Sequence, residues 1–388
     1  MILSPVLRLL TVVSLALLAL PADAFETRAK AAFVLDQSTG TVLLAKDADS
    51  ALPPASMSKL MTLYLAFDAV KNGQLQLDER LPVSAHAMSY GGSTMFLDTT
   101  DRVRVEDLLR GIIVLSGNDA CAVIAEALSP DGTETGFARL MTQRAQQLGM
   151  TSSTFKNASG WPAKGHVMSM RDLTLLASRL IADFPEFYPM FSEKRFEFDG
   201  RAPSNVRNRN PLLALDIGAD GLKTGHTQEA GYGLVGSAVR GDRRVIFAIT
   251  GLNSERARAE ESEAIVNWAF RQFAEKTIVR SGTSVAEAEI WMGAEDSVGL
   301  VAREDVNLLL PVVAASTKAE VVYTGPIKAP VTEGQQLAEL IIQPEGLPET
   351  RVPLFAQQDV STGGFMTRMM TVSQHLLKRL RADTAEAM

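Results

Sequence analysis

Cysteine is almost absent: Cys121 stands alone in 388 residues. One thiol cannot form an internal disulfide, and it rules out a cysteine-rich structural zinc site. Excess positive charge is missing too. The formal net charge is -7 and the isoelectric point is near 5.3, which argues against a general nucleic-acid binder. The chain has no internal repeat, no low-complexity linker and no residue cluster that suggests a metal or an organic cofactor, so neither is expected. What it does have is 46% apolar residues, enough for a large core, and a length that suits two domains.

Charge is also scarce at the start. Met1 to Leu20 carries only Arg8, followed by an apolar run from Leu9 to Leu20 broken by Thr11 and Ser14. Pro21 ends the run, and Ala22-Asp23-Ala24 has the small-x-small pattern of a cleavage site. This predicts a secretory signal peptide over residues 1–24 and a mature chain from Phe25. An uncleaved anchor is the other reading, but the run is short of the about 20 apolar residues that a membrane span needs. Export without a disulfide fits a bacterial envelope enzyme, placed in the periplasm.

Two apolar runs between Ala32 and Ala45, around Gln37-Ser38-Thr39-Gly40, predict a β-hairpin. A largely buried helix is expected from Ser56 to Val70, closed by Gly73. Helical patterns recur over Val105–Val114, Asp119–Leu128, Gly136–Leu148, Met170–Ile181 and Glu260–Phe273. A second hairpin spans Tyr232–Val239 and Arg244–Thr250. Strands flanking a helical middle predict an α+β domain over 25–275, with helices packed on an antiparallel sheet. From 276 to 361, short apolar runs separated by Gly, Pro and charged turns predict a small all-β domain.

The last segment, 362–388, reads as an amphipathic helix. Phe365, Met366, Met369, Met370, Ser373, Leu376, Leu377 and Leu380 share one helical face, beside Arg368, Lys378, Arg379 and Arg381. Such a helix can lie in a membrane interface, or pack on its own domain or a partner. Its local positive charge, within an acidic chain, favours the membrane surface.

Three short motifs carry the chemistry. Ser56 and Lys59, in Ser56-Met57-Ser58-Lys59, are spaced to share a helix face, with Cβ atoms about 5–6 Å apart. A serine hydroxyl needs a base, and a desolvated lysine can serve. The same spacing recurs by chance at Ser153-Thr154-Phe155-Lys156, but that stretch is a polar loop. Ser56 instead follows Pro53-Pro54-Ala55, a helix-start signal. Ser116-Gly117-Asn118 falls between two helical patterns, so a tight, outward-aimed loop is expected. There Ser116 can relay a proton, and Asn118 can orient Lys59 and bind a substrate carbonyl. Taken alone, that tripeptide is equally a helix cap. Lys223-Thr224-Gly225 precedes the second hairpin and belongs on or beside an edge strand. Lys223 and Thr224 offer a cation and a hydroxyl to a carboxylate, and Gly225 allows close backbone approach. Taken alone, it is equally a polar strand end. The backbone N–H groups of His226 and Ser56 are candidates for an oxyanion hole.

With these motifs in this order, the chain resembles the low-molecular-mass penicillin-binding proteins, the serine-type D-Ala-D-Ala carboxypeptidases of peptidase family S11 exemplified by penicillin-binding proteins 5 and 6. The resemblance covers nearly the whole chain. It includes Gly91-Gly92-Ser93-Thr94-Met95-Phe96-Leu97, Leu115 to Cys121, Ser169-Met170-Arg171-Asp172-Leu173, Asp220 to Thr227, Ala230-Gly231-Tyr232 and Arg258-Ala259-Glu260-Glu261-Ser262. It implies a β-lactamase/transpeptidase-like catalytic domain followed by the all-β domain and the tail. It implies that Ser56 attacks the bond between the two terminal D-alanines of a peptidoglycan stem peptide, with Lys59 as base and Ser116 as proton relay. Lys223, Thr224 and an arginine then hold the terminal carboxylate; Arg258 fits the family position best, with Arg256 close by. β-Lactams would acylate Ser56 and stall, and the tail would attach the protein peripherally to the inner membrane. The segment Asn157-Ala158-Ser159-Gly160-Trp161-Pro162-Ala163 departs from the pattern by carrying the bulky Trp161. His226 is expected to pack at the strand end, and neither it nor His166 is needed as a catalytic side chain.

A class A β-lactamase would share the three motifs, but it also needs a glutamate-bearing loop roughly 35 residues after Asn118. Thr151 to Gly160 contains no Glu or Asp. Transpeptidase or endopeptidase activity and a non-catalytic, β-lactam-sensing envelope module stay open as alternatives; the intact Ser56, Lys59, Ser116 and Lys223 set weighs against the last.

Overall fold

The computed structural model describes residues 25–201, 205–312, 317–344 and 347–365. The leader expected over 1–24 and the helix expected beyond Phe365 lie outside the described residues.

The chain opens with a hairpin, β1 (Ala31–Asp36) and β2 (Thr41–Lys46). A 3-10 turn over Ala55–Ser58 leads into α1 (Lys59–Lys71). Next come β3 (Arg80–Pro82), α2 (Ala85–Met88), β4 (Arg102–Arg104), α3 (Val105–Arg110), α4 (Asn118–Leu128), α5 (Glu134–Gln147) and α6 (Met170–Asp183). A meander of β5 (Ala219–Thr227), β6 (Gly231–Arg240) and β7 (Arg243–Leu252) is followed by α7 (Glu255–Gln272). The sequence-distant strands join in one antiparallel sheet, ordered β2-β1-β7-β6-β5.

Side chains alternate across this sheet because successive strand residues face opposite sides. Phe33, Val235, Ile246 and Ala248 point into a core built around α1, α4 and α6. Val34, Leu234, Phe247 and Ile249 point the other way, onto Ile265, Val266 and Ala269 of α7. With both faces covered, β1, β6 and β7 are largely apolar through their middles, whereas the edge strand β5 carries Lys223 and Thr224 there. Helices α1 and α4 are buried nearly all round, which is why their sequences lack a polar stripe. Serine and threonine side chains cap the helix starts: Ser169 accepts from Asp172 N–H, Thr133 from Gly136 N–H and Ser254 from Ala257 N–H.

Four local expectations need correction. The α-helix begins at Lys59 rather than Ser56, so Ser56 sits on the preceding 3-10 turn. The helix expected over Val105–Val114 changes at Gly111 into a π-turn spanning Gly111–Leu115, which ends with Ser116 in the left-handed region at φ 62°. Glycine is required at that junction, because a Cβ at Gly111 would collide with the Met95 thioether. Ser116 consequently points inward and is only 2% exposed, not aimed outward. The helix expected from Glu260 starts at Glu255, because Ser254 caps it.

The remaining strands are β8 (Phe273–Val279), β9 (Ser284–Trp291), β10 (Ser297–Val301), β11 (Val306–Pro311), β12 (Thr317–Val322), β13 (Ile327–Lys328), β14 (Gln336–Pro344) and β15 (Thr350–Ala356). Six of them form a sheet ordered β12-β14-β15-β10-β9-β13, while β8 pairs with β11. This C-terminal unit has its own apolar cluster around Ala288, Leu300, Leu340 and Leu354. Thr362, where the tail is expected to begin, forms a β-bridge with Gly293, and Gly363 N–H donates to the Met292 carbonyl.

Candidate active site

The site forms where three elements converge: the turn before α1, the turn before α4 and the edge strand β5. Ser56 is half-buried on the first. One turn on, Lys59 is fully buried, at 0% exposure. Its Nζ donates to Ser56 Oγ at 2.9 Å, to Asn118 Oδ1 at 2.7 Å and to the Ser159 carbonyl oxygen at 2.6 Å. All three acceptors are neutral. Burial, helped by the Arg209 cation, therefore pulls the lysine down to about 8.

Asn118 opens α4 and is held from both ends. Its Nδ2 donates to the Gly91 carbonyl, and its backbone N–H donates to the Ser93 carbonyl. The next residue, Asp119, fixes the 91–97 loop by accepting from Met95 N–H and Leu97 N–H. Ser116 Oγ accepts from Lys223 Nζ at 3.0 Å. Lys223 is itself buried and held well below its ordinary value, first by burial and then by the Lys59, Arg209 and Arg258 cations.

Strand β5 approaches the Ser56 turn because Gly225 lacks a side chain. A Cβ there would stand 3.0 Å from both Met57 Cγ and the Pro54 carbonyl oxygen. Thr224 is buried beside it. His226 is exposed, its ring stacked on Tyr232 with centroids 3.9 Å apart.

The two candidate arginines separate cleanly. Arg256 has an 89% exposed side chain paired with Glu260. Arg258 is 5% exposed, its buried Nε has no hydrogen-bond partner, and burial lowers its pKa. Arg258 Nη2 reaches the Arg209 carbonyl at 3.5 Å. Arg209 itself was not anticipated. It donates to Ser93 Oγ at 2.6 Å, to the Leu115 carbonyl and to Asn205 Oδ1. Among the described residues, Lys59, Lys223, Arg209 and Arg258 have no carboxylate partner, so the cleft is electrostatically ready for an anion.

The wall opposite β5 is the 157–161 loop. Asn157 Oδ1 accepts from the backbone N–H groups of Ser159, Gly160 and Trp161, which turns the Ser159 carbonyl toward Lys59. Glu134 anchors the loop: one oxygen accepts from Ala158 N–H, the other from Tyr90 OH and His86 Nε2. His166 lies behind the nucleophile turn, with Nε2 2.7 Å from Ser58 Oγ and Nδ1 accepting from Lys156 N–H. Burial pushes its pKa down to about 4, so it is neutral near pH 7. The chance motif at Ser153 is occupied elsewhere, since that hydroxyl donates to Asp172.

Comparison with known proteins gives a concordant result. The family model for D-alanyl-D-alanine carboxypeptidase, peptidase S11, matches residues 19–254, and that for the penicillin-binding protein 5 C-terminal domain matches residues 273–362. D-alanyl-D-alanine carboxypeptidase DacC of Escherichia coli K12 is 36% identical over 351 residues, covering 88% of this chain and 86% of that protein. Among solved structures, penicillin-binding protein 5 of Haemophilus influenzae superposes with a TM-score of 0.71 at 31% identity, over 87% of this chain and 98% of that one. Penicillin-binding protein D2 of Listeria monocytogenes, solved in its ampicillin-bound form, superposes with a TM-score of 0.57 at 34% identity, over 63% of this chain and 98% of that one. This chain belongs to the D-alanyl-D-alanine carboxypeptidase family of serine peptidases.

Proposed function

We propose that the protein is a serine D-Ala-D-Ala carboxypeptidase that removes the terminal D-alanine from peptidoglycan stem peptides through an acyl-enzyme on Ser56. The observation that carries this reading is the Lys59 amine, buried, flanked only by neutral acceptors and 2.9 Å from Ser56 Oγ. In its free-base form it takes the Ser56 proton as the hydroxyl attacks the penultimate D-alanine carbonyl. The backbone N–H groups of Ser56 and His226 receive the oxyanion. Ser116, hydrogen-bonded to Lys223, passes a proton to the departing D-alanine amine, whose carboxylate sits against Lys223, Thr224 and Arg258, while Gly225 lets β5 close on the Ser56 turn. Arg209 adds a further cation at that end. Asn118 keeps Lys59 aligned and donates to the substrate carbonyl. Water then hydrolyses the ester.

β-Lactams follow the acylation half of this path. A β-lactamase is the less suitable reading, because no carboxylate among the described residues hydrogen-bonds to Ser56 or Lys59. We assign the domains as 25–275 catalytic and 276–361 all-β, with export directed by 1–24 and peripheral attachment to the inner-membrane surface by 362–388.

The deciding assay incubates the mature protein with a diacyl tripeptide ending in D-Ala-D-Ala and measures free D-alanine, beside Ser56→Ala. Release by wild type alone is expected. No release by wild type sinks the carboxypeptidase reading, and equal release by both sinks the nucleophile. For the tail, deletion from Thr362 onward should free the protein from membranes while acylation persists; a truncated protein that still sediments with membranes refutes the anchor.

A further inference from the structure

A groove of about 430 Å3 opens along the irregular stretch that carries Arg209. Ser56, Lys59, Ser116 and Lys223 do not line it. Four cations do: Lys194, Arg195, Arg207 and Arg209, all exposed, and no acid is among the lining residues. In a chain of net charge -7 this is a local inversion of sign. The groove floor is fixed. Asn210 is buried, and its Nδ2 donates to the Gly221 carbonyl at 2.8 Å, which fastens the groove to β5 two residues before Lys223.

Backbone pairing forces two of the cations together. Arg195 and Arg207 form an antiparallel β-bridge. The flanking bonds run from Phe196 N–H to the Val206 carbonyl, at 2.9 Å, and from Asn208 N–H to the Lys194 carbonyl, at 3.0 Å. The arginines are therefore a non-hydrogen-bonded pair, the kind with Cα atoms about 4.5 Å apart and side chains rising together on one face. Like charges directly opposite each other repel unless a negative charge lies between them. Glu197, 2.7 Å from Arg195, supplies one such charge. Among the described residues, Lys194 and Arg207 take part in no side-chain hydrogen bond or ion pair, and Arg209 has no carboxylate partner. Four cations less one carboxylate leave three positive charges unmatched. A second carboxylate would offset one of them. A phosphate group carries up to two charges and enough acceptor oxygens to meet two guanidinium forks at once.

We propose that this groove binds a phosphate group, held between the Arg195 and Arg207 guanidinium groups, and that its occupancy is felt at the catalytic cleft through Arg209. This goes beyond the carboxypeptidase reading, and binding can be measured whether or not D-alanine is released.

The test titrates the mature protein calorimetrically with inorganic phosphate and follows thermal unfolding, with sodium chloride matching the ionic strength. Phosphate should bind and raise the unfolding temperature. Arg207→Gln, at an exposed position, should bind phosphate about fivefold or more weakly, and Arg195→Gln/Arg207→Gln about tenfold or more. In phosphate-free buffer Arg207→Gln should be at least as stable as wild type, because it removes a like-charge contact. No binding by wild type overturns the site. Equal binding by wild type and both variants overturns the location and puts the phosphate in the catalytic cleft. Acetate that binds as tightly as phosphate overturns the phosphate class. Glycerophosphoglycerol, a soluble phosphodiester, distinguishes the sources: binding tighter than inorganic phosphate supports a lipid head group, and weaker binding supports free phosphate or a monoester. The coupling has its own readout, which rests on Lys59 as base. The Arg209 cation lowers Lys59, so bound phosphate should move the rise of penicillin acylation to higher pH in wild type and not in Arg207→Gln. A profile that phosphate leaves unmoved in wild type overturns the coupling.

Discussion

The Lys59 ammonium is held 2.6 Å from the carbonyl oxygen of Ser159, nearer than the 2.9 Å to Ser56 Oγ. The base is thus parked between its serine and a backbone acceptor on the opposite wall. Ser159 O cannot take a proton, so this contact orients the nitrogen without competing for its chemistry.

A pH dependence follows from the low Lys59 value. The amine works as a base only when neutral, and burial sets its pKa near 8. Acylation by a fluorescent penicillin is therefore expected to rise with pH and level off above about 8. Arg209→Gln removes a cation that lowers this pKa, so the rise should move to higher pH. A rate that is flat across this range, or an acid shift in the variant, contradicts the assignment of Lys59 as base.

Arginine variants separate the two carboxylate candidates. Arg258→Ala should lower kcat/KM for peptide hydrolysis by about 2 kcal/mol, the scale of a hydrogen bond to a charged group, or roughly thirtyfold. Arg256→Ala, on the solvent side of α7, should stay within about twofold. Steady-state kinetics on both variants decide the matter; the reverse ranking would move the carboxylate site.

The sequence could not choose between these arginines because the choice depends on where α7 begins. Two residues on a helix differ by about 200° in direction. The Ser254 cap starts the helix at Glu255 and turns Arg258 inward. Much else was legible: the Ser56–Lys59 spacing and the hairpins β1–β2 and β6–β7 carry their own local patterns. Other features had no local pattern to read. Arg209 lies in an irregular stretch and gains its place only through Ser93 and Leu115, about a hundred residues earlier in sequence. The Ser159 acceptor is a backbone atom and leaves no side-chain signature. Strand β8 is mostly exposed and shows no alternation, and β10 alternates but over Ser297–Val301 only, too short a stretch to stand out.

Glu134 predicts an effect from outside the reacting groups. Its carboxylate satisfies Ala158 N–H, Tyr90 OH and His86 Nε2 at once. Glu134→Ala leaves the buried Ala158 N–H without its acceptor and should cost about 1–3 kcal/mol in unfolding free energy. Acylation should slow as well, because the freed loop carries Ser159. Urea denaturation and acylation kinetics measure the two effects; a variant as stable and as fast as wild type would show that Glu134 does not hold the wall.

Gly160 gives a steric prediction. It has φ 77°, and a Cβ there would collide with the Ala55 carbonyl, next to the nucleophile. Gly160→Ala should destabilise the protein by more than about 1 kcal/mol and impair acylation, through both the left-handed backbone and the clash. Thermal unfolding and penicillin binding test it, and unchanged values in both would mean that the turn relaxes freely.

The central claim is that Ser56 is the residue acylated. Incubation with benzylpenicillin, proteolysis and mass spectrometry locate the adduct directly. The account predicts a penicilloyl group on the peptide containing Ser56 in the wild type and none anywhere in Ser56→Ala. An adduct on Ser116 or Ser153, or one that persists in Ser56→Ala, would contradict it.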